Sequence, residues 1–410
     1  MTSVQPESSK DSKRISALTV PAFRHYFIAN CFATFAMWIM RFLLGWTAWA
    51  LTESAFFVGV ASAALLVPTF ILSPVFGVVA DRINLRTGIL VTIIGQGLMG
   101  LSAGLIAYAG WLTIEWLLVL ALLNGMVTAA HHPMRLSTMP RLISRDLLPS
   151  GIGLSAMVFN SSRIVGPALA ATMLTVASTG FSFLASALLF LIATLLLMRL
   201  PRMTPQGEKS EKSLLADLKI GIRFAAASPS IRMILLLAMI NGILGRTVIE
   251  LLPAISGQLL AGDANTLALL TALAGVGAIA GGLFMSRQRG SEKRLVRLVI
   301  IALAFSAIIL VPITLFANLW TVSAIVLLMS VGMTVTGTGC QALTQLTVSN
   351  ELRGRVMSLW TVITMGTPAI GAFVMGALAD WLGFSLVLAG FAVLALIATL
   401  SMAPQRHRFS

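Results

Sequence analysis

Charged side chains are rare inside the long apolar stretches of this sequence. Four formal charges lie well within such stretches: Arg41, Arg163, Arg246 and Glu250. A guanidinium offers forked, charge-assisted hydrogen bonds to a carboxylate or a phenolate. A glutamate beside such a group can take up a proton and release its partner. The residue types therefore point to anion binding and proton transfer.

The spacing of these four residues separates two cases. Arg246 and Glu250 are four residues apart, so on one helix they can form an ion pair. Arg41 has no acid one helical turn away, so its partner must come from another helix or from a ligand. Three cations against one anion suit an anionic ligand. Two interpretations of Glu250 stay open, a proton carrier or half of an ion pair that only offsets the cost of its own burial.

The composition identifies the surroundings of these charges. Of 410 residues, 58% are hydrophobic and 10% are charged, with a mean hydropathy of +0.95. Soluble domains carry about 25% charged residues. Because the apolar runs have the length of membrane helices, the sequence predicts an all-α membrane protein. The first twenty residues are polar and do not form a signal peptide.

Twelve apolar runs are long enough to cross a bilayer as helices, at about 20 residues each. The predicted spans are 26–51, 55–80, 88–109, 112–136, 150–176, 180–199, 232–258, 264–286, 295–316, 319–345, 355–379 and 383–402.

A polar stretch in the middle of the chain divides these spans into two sets of six. It contains Pro205 and Gly207, which favour a linker, and an amphipathic helix is predicted from Leu214 to Ala226. The predicted organisation is a tail (1–25), a six-helix bundle (26–199), a linker (200–231), a second six-helix bundle (232–402) and a tail (403–410).

The remaining basic residues predict the orientation. Apart from the three arginines inside spans, the other 25 of 28 lysines and arginines fall in the tails, the linker and alternate loops, all on one side. By the positive-inside rule, both termini are expected in the cytoplasm. The net charge of +14 therefore indicates membrane orientation and no nucleic-acid partner.

The two halves are related by a displacement of 205 residues. Under it Gly77 matches Gly282, Gly166 matches Gly371, and Arg41 matches Arg246. The arginine match is informative because arginine inside a span is rare. It predicts two parallel six-helix repeats with Arg41 and Arg246 facing each other across a central cavity.

Two further motifs are candidates for gating. A charged turn between the second and third spans has the spacing G-x-x-x-D-R-x-x-x-R, and the fifth span contains an arginine followed by Gly-Pro. The candidate gating residues are Gly77, Asp81, Arg82, Arg86, Arg163, Gly166 and Pro167. Proline bends a helix and glycine admits a close neighbour, so the fifth-span motif indicates a hinge or an ordinary kink. The candidate substrate-binding residues are Arg41, Arg246, Trp38 and Gln341, with Glu250 for proton coupling.

These motifs resemble the secretion-effector branch of the major facilitator superfamily, which includes enterobactin exporters. The matching segments are Trp46, 52–54, Pro68, 77–86, 140–142, 163–168, 353–360 and 376–380. The resemblance implies an alternating-access exporter of small molecules, usually driven by proton entry.

The predicted function is export of a small organic molecule in exchange for protons, across a bacterial inner membrane. An anionic siderophore or related metabolite is the first cargo, and hydrophobic drugs are the second. A proton-coupled importer, a lipid translocase and a membrane sensor stay as alternatives. No G-x-x-x-x-G-K-[ST] or H-E-x-x-H occurs, so neither direct ATP use nor enzyme activity is expected. We expect a monomer with no metal and no cofactor, powered by the proton gradient.

Overall fold

The chain folds into a bundle of long helices. The computed structural model describes residues 16–203, 222–288, 291–348 and 350–404, and it contains no strand in these ranges. Twelve long helices lie within them: α1 (Pro21–Thr52), α2 (Ala55–Arg82), α3 (Leu85–Tyr108), α4 (Ile114–Leu142), α5 (Leu148–Val176), α6 (Thr179–Leu197), α7 (229–259), α8 (Ala264–Ser286), α9 (Glu292–Ile308), α10 (Leu319–Thr347), α11 (Asn350–Leu382) and α12 (Phe384–Met402).

Eleven of these helices are long and apolar enough to cross a membrane, as judged over the described residues. The twelfth, α5, is 29 residues long but less apolar. Its middle holds four consecutive polar or charged residues, 160–163, which lower its hydropathy. The prediction of an all-α membrane protein is confirmed.

Helix α7 differs from the continuous span predicted over 232–258. Its first part, Pro229–Asn241, is α-helical, but wider π turns occupy Gly242–Arg246 and Ile255–Leu259. Glycine and proline account for these irregularities, because the first turn contains Gly242 and Gly245, and Pro253 removes a backbone donor. Such turns insert an extra residue and re-aim the side chains that follow.

Some helix ends also differ from the prediction. Helix α1 begins at Pro21, inside the predicted tail, since proline fits the first helical position. A 3-10 turn at Ala17–Thr19 precedes it, and the Ala17 backbone N–H donates to Ser150 Oγ at 3.1 Å. Helix α9 ends at Ile308 and a 3-10 turn follows at Val311–Thr314.

Parts of the predicted tails and linker lie outside the described residues. These parts are 1–15, 204–221 and 405–410, and they include most of the predicted amphipathic helix. Only its end is described, and residues 222–227 are helical.

Helices of the two halves meet along two seams. Helix α2 packs against α11, and α5 packs against α8. Helix α8 occupies the position in the second half that α2 has in the first, and α11 corresponds to α5 in the same way. The two pairs are therefore equivalent, as expected for two parallel repeats. Both seams run through a bundle with two ends. We call the end with Pro21 and Met402 the terminus end, and the opposite end, with Glu53 and Gly383, the far end.

Small residues let the seams close tightly. A Cβ placed on Gly59 would overlap the carbonyl oxygen of Ala372, and one on Gly376 would overlap that of Ala55. In the second seam, a Cβ on Gly275 would lie 2.6 Å from Ile164 Cγ1. Glycine at these positions permits the helix backbones to approach, which is the usual basis of helix association in membranes.

The charge distribution makes a testable prediction about orientation. Reporter domains fused after Glu53, Gly110, Asp263 and Asp380, all near the far end, should report an external location. Fusions after Arg86 and Arg199 serve as controls, because these residues lie at the terminus end and should report the cytoplasm. A cytoplasmic signal at any two of the first four sites would contradict the twelve-span topology.

Candidate functional site

A buried glutamate joins the two halves of the bundle. The side chain of Glu250, on α7, is 6% exposed. Its Oε2 accepts a hydrogen bond from Nη2 of Arg41 on α1, and its Oε1 lies 3.9 Å from Nε of Arg246. The Arg41 and Arg246 side chains are 31% and 42% exposed, so each guanidinium retains access to a ligand. One carboxylate thus contacts both Arg41 and Arg246, the two arginines at equivalent positions of the internal repeat.

Local irregularity of α7 positions this pair. The first π turn ends at Arg246, and Gly245 inside it leaves room for Met333 of α10, whose Cγ would lie only 2.9 Å from a Cβ placed on that glycine. On the other side, the Ser62 hydroxyl of α2 donates to the Glu250 carbonyl oxygen at 3.3 Å. This bond occupies a carbonyl next to the irregular stretch. Helices α1, α2 and α7 therefore meet at Glu250.

A second group of side chains lies beside the first. The Arg163 guanidinium on α5 stands over the indole of Trp38, with Cζ 5.9 Å from the ring centroid. The Phe159 ring meets the same indole edge-on at 5.6 Å. A Cβ on Gly166 would be 2.8 Å from that of Trp38, so glycine allows α1 and α5 to touch here. Arg163 also lies within electrostatic range of Arg41, Arg246 and Glu250.

The structure unites most of the predicted site. Arg41, Arg246, Glu250 and Trp38 lie close together, and their roles in cargo and proton binding stay predictions. Arg163, predicted as a gating residue, joins them. Gln341 lies partly buried on α10, and among the described residues no hydrogen bond links it to this cluster.

The predicted pairing of Arg246 with Glu250 is present, but Arg41 makes the closer contact. The sequence did not identify Glu250 as the partner of Arg41, because the pair joins residues 209 positions apart. The contact of Ser62 was also missed. Its hydroxyl donates to a backbone carbonyl, and such a bond cannot be recognised from the sequence.

The far end carries a contact that sequence reasoning missed. Asp380, on α11, accepts hydrogen bonds from the first turn of α2 in the other half. Its Oδ1 takes the Ala55 N–H at 2.8 Å, and its Oδ2 takes the Phe56 N–H at 3.0 Å and the Ser54 hydroxyl. An anion at a helix N-terminus satisfies free amides and favours the helix dipole. Asp380 therefore fastens the two halves at this end.

A repeated spacing is the signal that could have found Asp380. Gly376 and Asp380 near the end of α11 have the same separation as Gly77 and Asp81 near the end of α2. The two helices run in opposite directions through the seam they share. One glycine–aspartate pair therefore lies at the far end, and the other lies at the terminus end.

At the terminus end, the candidate gating residues make few contacts between halves. No atom lies within 4 Å of a Cβ placed on Gly77. Arg86 Nη2 donates to the Met198 carbonyl oxygen in its own half, and Arg82 is exposed. The side chain of Asp81 lies outside the described part of the chain, as does that of Arg353.

Comparison with known proteins decides the family. The profile of the family described as "Transmembrane secretion effector", within the major facilitator superfamily, matches residues 12–408. The chain belongs to this family. It is therefore a membrane transporter and not an enzyme.

Named relatives agree with this assignment. The transporter is 26% identical to the enterobactin exporter EntS of Salmonella choleraesuis, over 93% of this chain and 94% of that one. It is 24% identical to the staphyloferrin A transporter of Staphylococcus aureus, over 64% of this chain and 66% of that one.

The same fold occurs in solved transporters of low sequence identity. A bacterial homolog of the human lysosomal transporter Spinster superposes with a TM-score of 0.71 at 15% identity, covering 95% of this chain and 98% of that one. The nucleoside transporter NupG gives 0.70 at 13% identity, covering 95% and 100%. These two likenesses establish the fold.

The terminus-end residues yield a prediction for this transporter. When the far end opens, Gly77 and Asp81 should meet the N-terminus of α11, as Gly376 and Asp380 now meet that of α2. Asp81→Asn should then slow transport roughly 5- to 150-fold, the range of typical coupling free energies. Transport assays in vesicles with matched protein amounts would measure this. Asp146→Asn is the control at the same end, and a wild-type rate for Asp81→Asn would refute the latch.

Proposed function

We propose that this transporter exports a small anionic organic molecule of the siderophore class from the bacterial cytoplasm in exchange for protons. The observation that supports the proposal most directly is the ion pair between Arg41 and Glu250, which links the halves near the middle of the bundle. Its carboxylate is buried, its two closest charged neighbours are arginines, and those arginines are partly exposed.

This pair provides a basis for exchange. An exchanger must stay in one state when empty and change state when either ligand is bound. Without a ligand, the ionised Glu250 holds Arg41 of the opposite half. A proton neutralises Glu250 and releases Arg41, while an anionic cargo draws the arginines away from the carboxylate. Either ligand thus breaks the link that restrains the empty carrier.

The arginines set the chemistry of the cargo. Arg41 and Arg246 can hold carboxylate or phenolate oxygens by forked hydrogen bonds, and lysine would reproduce that geometry poorly. Relatives of this chain are named for enterobactin and for staphyloferrin A. Trp38 adds an aromatic surface beside the charges. A small anionic molecule with polar oxygens satisfies all of these groups.

The function can be tested by chemical analysis of the medium. Cells with and without the gene are grown under iron limitation and in rich medium, and released small molecules are compared. We expect an anionic compound that is depleted from the medium, and accumulates inside, only in the strain without the gene. Complementation with Arg41→Lys should restore release less well than the wild-type gene. Equal release by both strains would contradict export.

A further inference from the structure

The guanidinium of Arg163 has no anionic partner among the described residues. It rests on the face of Trp38, and a cation–π contact leaves its N–H donors unused. The indole Nε1 of Trp38 is buried and also has no hydrogen-bond acceptor in the described part of the chain. Two neighbouring side chains therefore present donors and find no acceptor there. Arg163 is half-buried, whereas the Trp38 Nε1 is fully buried. An unpaired buried donor in a native protein calls for an explanation, and a ligand is one.

Packing holds these two donors in place. Phe159, one turn before Arg163, meets the indole edge-on, and Gly166, one turn after it, touches the Trp38 Cβ. Two residues of α5, one turn before and one turn after Arg163, therefore pack against the Trp38 side chain and fix its position. A contact that is fixed in advance loses little entropy when a ligand binds.

The charge of the whole cluster is unbalanced. Arg41, Arg163 and Arg246 lie within electrostatic range of one another, and Glu250 is the sole carboxylate that neighbours them in the described chain. With Glu250 ionised, the cluster has a net charge of two positive units. Uncompensated charge at this depth in a membrane protein is costly, so a ligand with two negative charges would neutralise the cluster.

We propose that Arg163 and Trp38 form a third cargo contact and that the site selects organic anions with at least two negative charges. The inference rests on the proposed function for the site's location, and adds the cargo's minimum charge. Arg41 and Arg246 take one anionic group, while Arg163 and the Trp38 N–H take a second. Arg163 is thereby assigned to cargo binding in place of gating.

The test uses the purified full-length protein and three probes with the same aromatic ring: benzoate, isophthalate and trimesate, with one, two and three carboxylates. Binding is followed by calorimetry and by tryptophan fluorescence. We expect the dianion and trianion to bind at least about tenfold more tightly than benzoate. Arg163→Gln should remove this preference, and Arg163→Lys should restore part of it.

Two further variants make the result specific. Arg232→Gln, which removes an exposed arginine at the terminus end of α7, should bind all three probes as wild type does. Trp38→Phe should weaken dianion binding by a smaller factor and abolish much of the fluorescence change. Equal affinity for the three probes, no binding of any probe, or an unchanged preference in Arg163→Gln would each overturn the inference.

This result is separable from the proposed function. Charge-dependent binding combined with normal release by cells lacking the gene would contradict export and leave the binding site in place. Loss of release without charge-dependent binding would support export and contradict the role of Arg163.

Discussion

Glu250→Gln is expected to abolish the dependence of export on external pH and to reduce export against a gradient roughly 5- to 150-fold. Glutamine keeps the length of the side chain and an oxygen that Arg41 can contact, but it cannot exchange a proton. The variant resembles the protonated state at every pH, so Arg41 has lost its ionic partner and is held only weakly when the carrier is empty. Cargo can then still move down its gradient. In wild type, export should rise as external pH falls, because more protons are available to return the carrier.

Proteoliposomes with a controlled external pH measure this effect. Glu115→Gln is the matched control, since it makes the same change at an exposed helix start far from the site. Glu250→Asp keeps the titratable group and should retain a pH-dependent profile at a lower rate. If Glu250 only satisfies its arginine neighbours, Glu250→Gln will lower the amount of folded protein and leave the pH profile unchanged. That outcome would exclude Glu250 as the proton carrier.

The second large effect is expected at the far end. Asp380→Asn places an amide NH2 group where one carboxylate oxygen now accepts hydrogen bonds from the first turn of α2. At least one of the backbone donors of Ala55 and Phe56 then loses its acceptor, and the charge at the α2 N-terminus disappears. A hydrogen bond to a charged group contributes about 1.5–3 kcal/mol. We therefore expect the ratio of far-end-closed to far-end-open molecules to fall about 10- to 150-fold.

Distance measurements between spin labels at Trp111→Cys and Trp320→Cys would detect this shift. Both positions are exposed near the far end, one in each half. Asp263→Asn is the matched control. The Asp263 carboxylate accepts a hydrogen bond from the Thr266 N–H at the start of its own helix. This hydrogen bond is the main reason that the pKa of Asp263 is lowered. Asp263 makes no described contact with the other half, so its replacement should leave the distances unchanged. An unchanged distance in Asp380→Asn would remove its role as a fastener.

Local features of the fold followed directly from the sequence. Apolar runs separated by polar loops gave the helices, because a bilayer demands about 20 apolar residues per span. The pair of Arg246 and Glu250 also followed, since residues four apart on a helix are neighbours. Matching Arg41 with Arg246 through the repeat then predicted that both would lie at one site.

Contacts between distant segments could not be derived in this way. The bond from Arg41 to Glu250 depends on how α1 and α7 pack, and no spacing rule connects them. Gly242 and Gly245 permit the first π turn of α7, but the side chains that pack against them, Thr367 and Met333, come from other helices. The contacts of Asp380 could not be derived either, because two of its three donors are backbone amides, which every sequence contains.

The low hydropathy of α5 has a consequence for how the protein is made. An arginine at the centre of a lone helix opposes entry into the bilayer by about 2.5–3.5 kcal/mol, and Asn160 and two serines stand beside it. The next helix, α6, is strongly apolar and begins after only two residues, Ala177 and Ser178. During synthesis, α5 should therefore leave the translocon together with α6 as a hairpin. Arg163 supplies the third cation of the cluster around Glu250. It thus makes the membrane insertion of one helix dependent on the helix that follows it.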